Sequence, residues 1–238
     1  MRLLVSVSND SEARAALDGG ADIVDAKDPD AGALGAVSLD VFREIAAVVG
    51  DTAPVSAALG DAADEAAIEA MAREFTIAGA AFVKIGFAGI CDTARARSLV
   101  AAAVRGASRK VVAVTYADRQ SELSFTDLLD VGSAAGAIGI LIDTCDKSGP
   151  GLRHLIHETT LSRWISAASG AGLTVAAAGK LTIDDLDWVR DCGADIAGVR
   201  GAACEGGRTG RVTAERVRLL RAARESEPAT HTVTGGRG

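Results

Sequence analysis

Eight short apolar runs alternate with eight helix-length amphipathic segments along this 238-residue chain, and that alternation constrains the fold more than any single motif does. The runs at 3–7, 23–26, 55–58, 82–85, 111–115, 139–143, 174–177 and 196–199 are rich in Val, Ile, Leu and Ala and read as buried strands. The segments at 11–18, 39–49, 64–78, 93–105, 125–133, 152–169, 183–192 and 213–224 repeat their apolar residues at helical spacing. A helix between consecutive strands makes a crossover, so neighbouring strands run parallel and both sheet faces are covered. Eight such units in a chain of this length point to a closed (βα)8 TIM barrel over residues 1–224 rather than an open doubly wound sheet. The first strand-to-helix turn, Ser8-Asn9-Asp10-Ser11, also lacks the Gly-x-Gly-x-x-Gly of a dinucleotide-binding unit. Residues 225–238 mix Ser, Pro, Thr, Gly and His without an apolar period and are expected to form a flexible tail.

Composition narrows the function. A formal charge of −7 disfavours nucleic acid and anionic membrane surfaces as partners, so an anionic small molecule has to meet a local positive site. No apolar run is long enough to span a bilayer, and the start lacks the pattern of a signal peptide. Cys91, Cys145, Cys192 and Cys204 are scattered without a Cys-x-x-Cys pair, which fits free thiols in a reducing, cytoplasmic setting. His154 and His157 have no third ligand nearby, so they read as surface residues and no metal or cofactor is expected. The Ala-rich segment 62–72 offers a close-packing face that would suit a homo-oligomer.

The lysines carry the strongest chemical signal. Arg occurs twenty times and Lys five, at 27, 84, 110, 147 and 180, and four of these five lie in or just after a strand. Arg supplies surface charge but does not lose its proton, whereas Lys can become a neutral amine and attack a carbonyl. In a barrel the C-terminal strand ends converge on one face, where active sites sit, and alternate strands share layers of inward side chains. Lys27, Lys84 and Asp143, on the second, fourth and sixth strands, are therefore placed to share a cavity. Asp25, two residues before Lys27, points to the same side. A purely structural Asp–Lys network plugging the barrel is the competing reading. The loops after strands seven and eight, Gly179-Lys180 and Arg200-Gly201-Ala202, combine glycine with a cation where barrels often bind phosphate.

These residues resemble a known family. The blocks Gly19-Gly20-Ala21-Asp22-Ile23-Val24-Asp25-Ala26-Lys27-Asp28-Pro29, Gly32-Ala33-Leu34-Gly35-Ala36, Phe82-Val83-Lys84-Ile85-Gly86 and Leu141-Ile142-Asp143-Thr144 are similar to those of the (5-formylfuran-3-yl)methyl phosphate synthase family. The resemblance extends to Val199-Arg200-Gly201-Ala202-Ala203-Cys204 and covers nearly the whole chain. It implies a cofactor-free barrel enzyme that condenses two molecules of glyceraldehyde 3-phosphate into a furan aldehyde phosphate, a precursor of methanofuran-type cofactors. It implies Lys27 as the Schiff-base lysine, Lys84 as a proton-transfer group, and Asp25, Asp143 and Lys147 as their polar support. Gly20 stands where some members carry lysine, so no role carries over there. A Schiff-base aldolase on phosphorylated sugars and a non-catalytic phosphosugar-binding barrel are the alternatives the residues leave open.

Overall fold

The computed structural model describes residues 1–119 and 122–225; most of the expected tail lies outside them. Strands β1 (Arg2–Val7), β2 (Ile23–Ala26), β3 (Val55–Asp61), β4 (Phe82–Gly86), β5 (Val111–Tyr116), β6 (Gly139–Asp143), β7 (Thr174–Ala177) and β8 (Ile196–Val199) form a closed barrel in sequence order. Every neighbouring pair is parallel, including the closing pair β1 and β8. Outside lie α1 (Asp10–Gly19), α2 (Leu39–Val49), α3 (Glu65–Ile77), α4 (Thr93–Gly106), α5 (Phe125–Ala135), α6 (Leu152–Leu155), α7 (Glu158–Gly170), α8 (Leu186–Asp191) and α9 (Ala214–Glu225).

The helices begin where side chains can take up their unpaired first-turn amides. Asn9, Ser38, Asp64, Asp92 and Ser124 each accept from a first-turn N–H, and Ser124 forms a reciprocal box with Asp127. Alternate residues of each strand face outward onto the helices, where Leu3, Val5, Ile85, Ala113, Ile140, Ile142 and Val175 are fully buried in the main core. At the seam of the ring α9 packs on α1: a Cβ on Gly19 would lie 2.3 Å from Val217 Cβ, so only glycine permits this approach.

Two features depart from the sequence reading. The expected helix 152–169 is two, because Ile156 is extended and His157 caps α7 with its ring accepting from Thr159. His154 and His157 are thereby on separate helical pieces, and no metal-binding cluster exists among the described residues. The loop after β8 is also more structured than expected, folding into a 3-10 turn (Gly201–Ala203) and a two-stranded ribbon, β9 (Cys204–Glu205) with β10 (Arg211–Val212).

Candidate active site

The inward residues of the barrel change character along its axis. At the N-terminal strand ends they are apolar: Leu4, Ile23, Val112, Leu141 and Ile196 belong to one cluster inside the lumen. At the C-terminal ends they are ionisable. The loop after β2 turns inward and buries Leu34 beside Ala58, Val114 and Tyr116, which closes the β3–β5 side of the mouth. Gly86 makes this closure possible, since a Cβ there would collide with Asp61 Oδ1, the Tyr116 hydroxyl and Leu34. What stays open is a cavity of about 370 Å³ on the β6–β8 and β1 side, bordered by Lys27, Lys84, Asp143, Lys147, Lys180 and Arg208 among others.

Asp25 is completely buried on β2 and is held by three donors. Ser6 Oγ donates to Oδ2 at 2.8 Å, Ser56 Oγ to Oδ1 at 2.7 Å, and Lys84 Nζ to Oδ2 at 2.6 Å. The registers explain this, because Ser6 and Ser56 are the residues paired with Asp25 on β1 and β3. Each serine is the only polar residue in its apolar run, 3–7 and 55–58, a signal present in the sequence that its reading passed over. Asp143, at the end of β6, accepts from Lys147 Nζ at 2.7 Å and from the amide of Thr144 at 2.7 Å. Its carboxyl is held below the usual carboxylate range: burial pushes it up, but Lys147, Lys27 and the Thr144 amide together outweigh burial.

Lys27 differs from every other lysine on the cavity. Lys84 is bonded to Asp25, Lys147 to Asp143, and Lys180 to the carbonyl of Gly149. The Lys27 amine makes no hydrogen bond or ion pair among the described residues. It is 7 % exposed, and its pKa falls to about 8, first through burial and next through the charges of Lys84 and Lys147, against the opposing pull of Asp143 and Asp25. A substantial fraction is therefore neutral amine near physiological pH, in contrast to an ordinary lysine.

The expected phosphate loops border the same cavity. Gly179 and Lys180 both have positive φ, at 101° and 58°, and Lys180 is a non-glycine residue in that sparsely populated region. The amides of Gly179, Lys180, Gly201 and Ala202 make no hydrogen bond among the described residues, which leaves donors at the rim. Arg200 is placed differently from the expectation of a free cation. It lines the cavity, but its guanidinium donates to Glu12 at 2.8 and 3.3 Å, to Ser6 O at 3.0 Å, to Arg208 O at 2.8 Å and to Gly210 O at 3.3 Å. It is a strut holding the β8 loop to β1 and α1. Arg208, which sequence reasoning missed, reaches across the mouth to the carbonyls of Pro29 and Gly32 and ties down the loop that carries Leu34.

Fold and site together describe a (βα)8 barrel with a desolvated, unpartnered lysine at its mouth and carboxylate–lysine pairs on either side. The model of the family described as 4-HFC-P synthase matches residues 3–221. The (5-formylfuran-3-yl)methyl phosphate synthase of Methanopyrus kandleri is 39 % identical over 87 % of this chain and 90 % of its own, and that of Methanosarcina mazei 36 % over 92 % and 97 %. The chain belongs to this family of synthases. Solved structures similar in fold include a 3-hexulose-6-phosphate synthase and a phosphoribosyl anthranilate isomerase from Thermus thermophilus. The first has a TM-score of 0.65 and 23 % identity, covering 94 % of this chain and 99 % of its own. The second has 0.64 and 14 %, covering 94 % and 98 %. At those identities the likeness speaks to the barrel alone.

Proposed function

We propose that this enzyme condenses two molecules of glyceraldehyde 3-phosphate into (5-formylfuran-3-yl)methyl phosphate, supplying a methanofuran-type cofactor. Phosphate and water are released, and Lys27 serves as the Schiff-base nucleophile. The observation that carries the reading is the contrast among the cavity lysines: three are bonded and one, Lys27, presents a free, desolvated amine. A neutral amine attacks the aldehyde carbon, water leaves, and the resulting iminium draws electrons from the adjacent C–H bond. Loss of that proton gives an enamine, which expels the phosphate from the next carbon; the enol left there forms the carbon–carbon bond to the middle carbon of the second triose phosphate once that triose has isomerised to its ketone, and ring closure with loss of two waters gives the furan.

Each of these steps moves a proton, and the two pairs flank Lys27 for that purpose. Lys84 is the proton-transfer group, its position fixed by Asp25. Asp143 and Lys147 form the second acid–base pair, nearer solvent. The amides of Gly179, Lys180, Gly201 and Ala202, with the charge of Lys180, bind the substrate phosphate, and Arg200 fixes the loop that presents two of them. The fit of this family over residues 3–221 supports the product assignment.

Borohydride reduction in the presence of glyceraldehyde 3-phosphate, read by mass spectrometry, is the test. A mass increment at Lys27 and the near-ultraviolet absorbance of a furan aldehyde are the expected results. Trapping without that absorbance would leave a simple Schiff-base aldolase; no trapping at all would remove the Schiff base.

A further inference from the structure

Beneath its ionisable mouth the barrel is not packed shut. Leu4, Val112, Leu141, Ala176 and Ile196, all facing the lumen, each retain between 4 and 8 % exposure, whereas their outward neighbours Leu3, Val111, Ile140, Val175 and Ala197 retain none. The same cavity that touches Lys27 and Lys84 continues down to Phe82, Thr174 and Ile196, the first residues of β4, β7 and β8. Most barrels fill this depth with layers of bulky side chains. Here β7, the residue after it and β8 contribute Ala176, Ala178 and Gly198, and a Cβ on Gly198 would lie 3.2 Å from that of Ala178. The opposite wall is filled instead, by Leu34, Val114 and Tyr116.

Apart from Thr174 at its floor, the resulting well is lined by apolar residues. Below Lys84 and Asp25 its wall is made of Leu4, Val112, Leu141, Ala176 and Ile196. Space of this kind in a core costs stability in proportion to its volume, and it receives apolar matter in preference to water. A charged triose phosphate has no group suited to it. A flat, dehydrated ring does, and the order of parts along the axis matches such a ligand: phosphate donors at the rim, amines at the middle, hydrocarbon at the floor. The whole cavity, about 370 Å³, is near the lower end of the range for small-molecule sites and suits one ring bearing one phosphate.

We infer that the well under Lys27 and Lys84 is a ring-binding subsite, which takes up the furan as dehydration removes its hydroxyl groups. Its shape is set by Ala176 of β7 and Val112 of β5. This inference deepens the proposed function and rests on it for the identity of the ring. The subsite favours the later, less hydrated intermediates over the starting trioses, so burial helps drive ring closure forward.

The test compares two phosphates in binding experiments that need no turnover: furan-3-ylmethyl phosphate, which has the ring, and glycerol 3-phosphate, which does not. The wild-type protein is expected to bind the ring compound roughly tenfold or more tightly, the scale that burying such a ring supplies. Ala176→Leu fills the well, so it should abolish this preference and leave glycerol 3-phosphate affinity within about twofold, as expected for separated sites. Val112→Phe fills it from another strand and serves if the first variant fails to fold. Equal binding of the two phosphates by wild type, or a preference that survives in a folded, filled variant, overturns the subsite. Ring preference in a protein that forms no furan from triose phosphate would keep the subsite and discard the proposed function; furan formation without ring preference would do the reverse.

Discussion

The two carboxylate–lysine pairs flanking Lys27 are chemically alike and physically different. Asp25 and Lys84 come from strands β2 and β4 and meet across the lumen, with side-chain exposures of 0 and 4 %. Asp143 and Lys147 are four residues apart on one strand end and its loop, with exposures of 3 and 14 %. The first carboxylate is saturated by two serines and a lysine, so neither partner can move without leaving a buried charge. The second lysine can swing toward water at little cost. The inner pair is held in one geometry, from which the proposed proton transfer by Lys84 would be made inside the lumen, whereas the outer pair is suited to exchanging protons with solvent.

Lys27, between them, is where the largest effect is expected. Lys27→Arg keeps a cation of similar reach but has no neutral form, so furan formation should fall by roughly 10⁴-fold or more with no borohydride-trapped adduct. Activity within tenfold of wild type would remove the Schiff-base assignment and with it the reason for comparing the flanking pairs.

Stability distinguishes the pairs next. Asp25→Asn strands the Lys84 charge in the lumen and should cost about 3 kcal/mol in denaturant unfolding. Asp143→Asn should cost about 1 kcal/mol, because Lys147 can relax outward. Equal losses would show that the two pairs are held alike.

The field each pair exerts on Lys27 gives a third, smaller and signed effect. Lys84 lowers the Lys27 pKa and Asp143 raises it. Lys84→Met should therefore shift the pH profile of trapping upward from its midpoint of about 8, and Asp143→Asn should shift it downward. If Lys84 also moves protons after iminium formation, Lys84→Met will trap substrate yet make product about a hundredfold more slowly. Loss of trapping at every pH in a folded Lys84→Met protein would instead place Lys84 in iminium formation itself.

Much of this arrangement is legible in the sequence, for local reasons. Strands Ile23–Ala26, Gly139–Asp143, Thr174–Ala177 and Ile196–Val199 are bounded as their apolar runs suggest, because buried parallel strands have no polar face to blur the ends. Lys27, Lys84 and Asp143 stand out because strand periodicity and barrel geometry fix where they point. Pairings across the chain are another matter. Arg200 looks like a phosphate ligand until Glu12, 188 residues earlier, is found against it. The same holds for Arg208, whose carbonyl partners in the β2 loop are 176 and 179 residues away. No local pattern carries such contacts. The break in 152–169 leaves no mark in the sequence, because Ile156 keeps the helical spacing of its neighbours while its backbone is extended.

Glu12 and Arg200 form a third buried pair, and they test whether burial alone makes a pair catalytic. Glu12 accepts from Arg200, from the amide and hydroxyl of Ser8 and from the amide of Val212, none of which is hydrogen-bonded to the Lys27 amine among the described residues. Its carboxyl lies below the ordinary 4.5: burial pushes it up, but the bonds from Arg200 and Ser8, with the Arg200 charge and the Val212 amide, together outweigh burial. A carboxyl lowered on folding adds stability that is fully present above that ordinary value and is lost as pH falls through the lower folded one. Acid titration followed by circular dichroism should therefore show wild type losing stability more steeply below about pH 4.5 than Glu12→Gln, with the two converging at the acid end. At neutral pH the variant should raise KM for the phosphorylated substrate more than it lowers kcat, because the β8 loop bearing Gly201 and Ala202 loses its strut. A loss confined to kcat would give this distant pair a part in the chemistry and undo its contrast with the two beside Lys27.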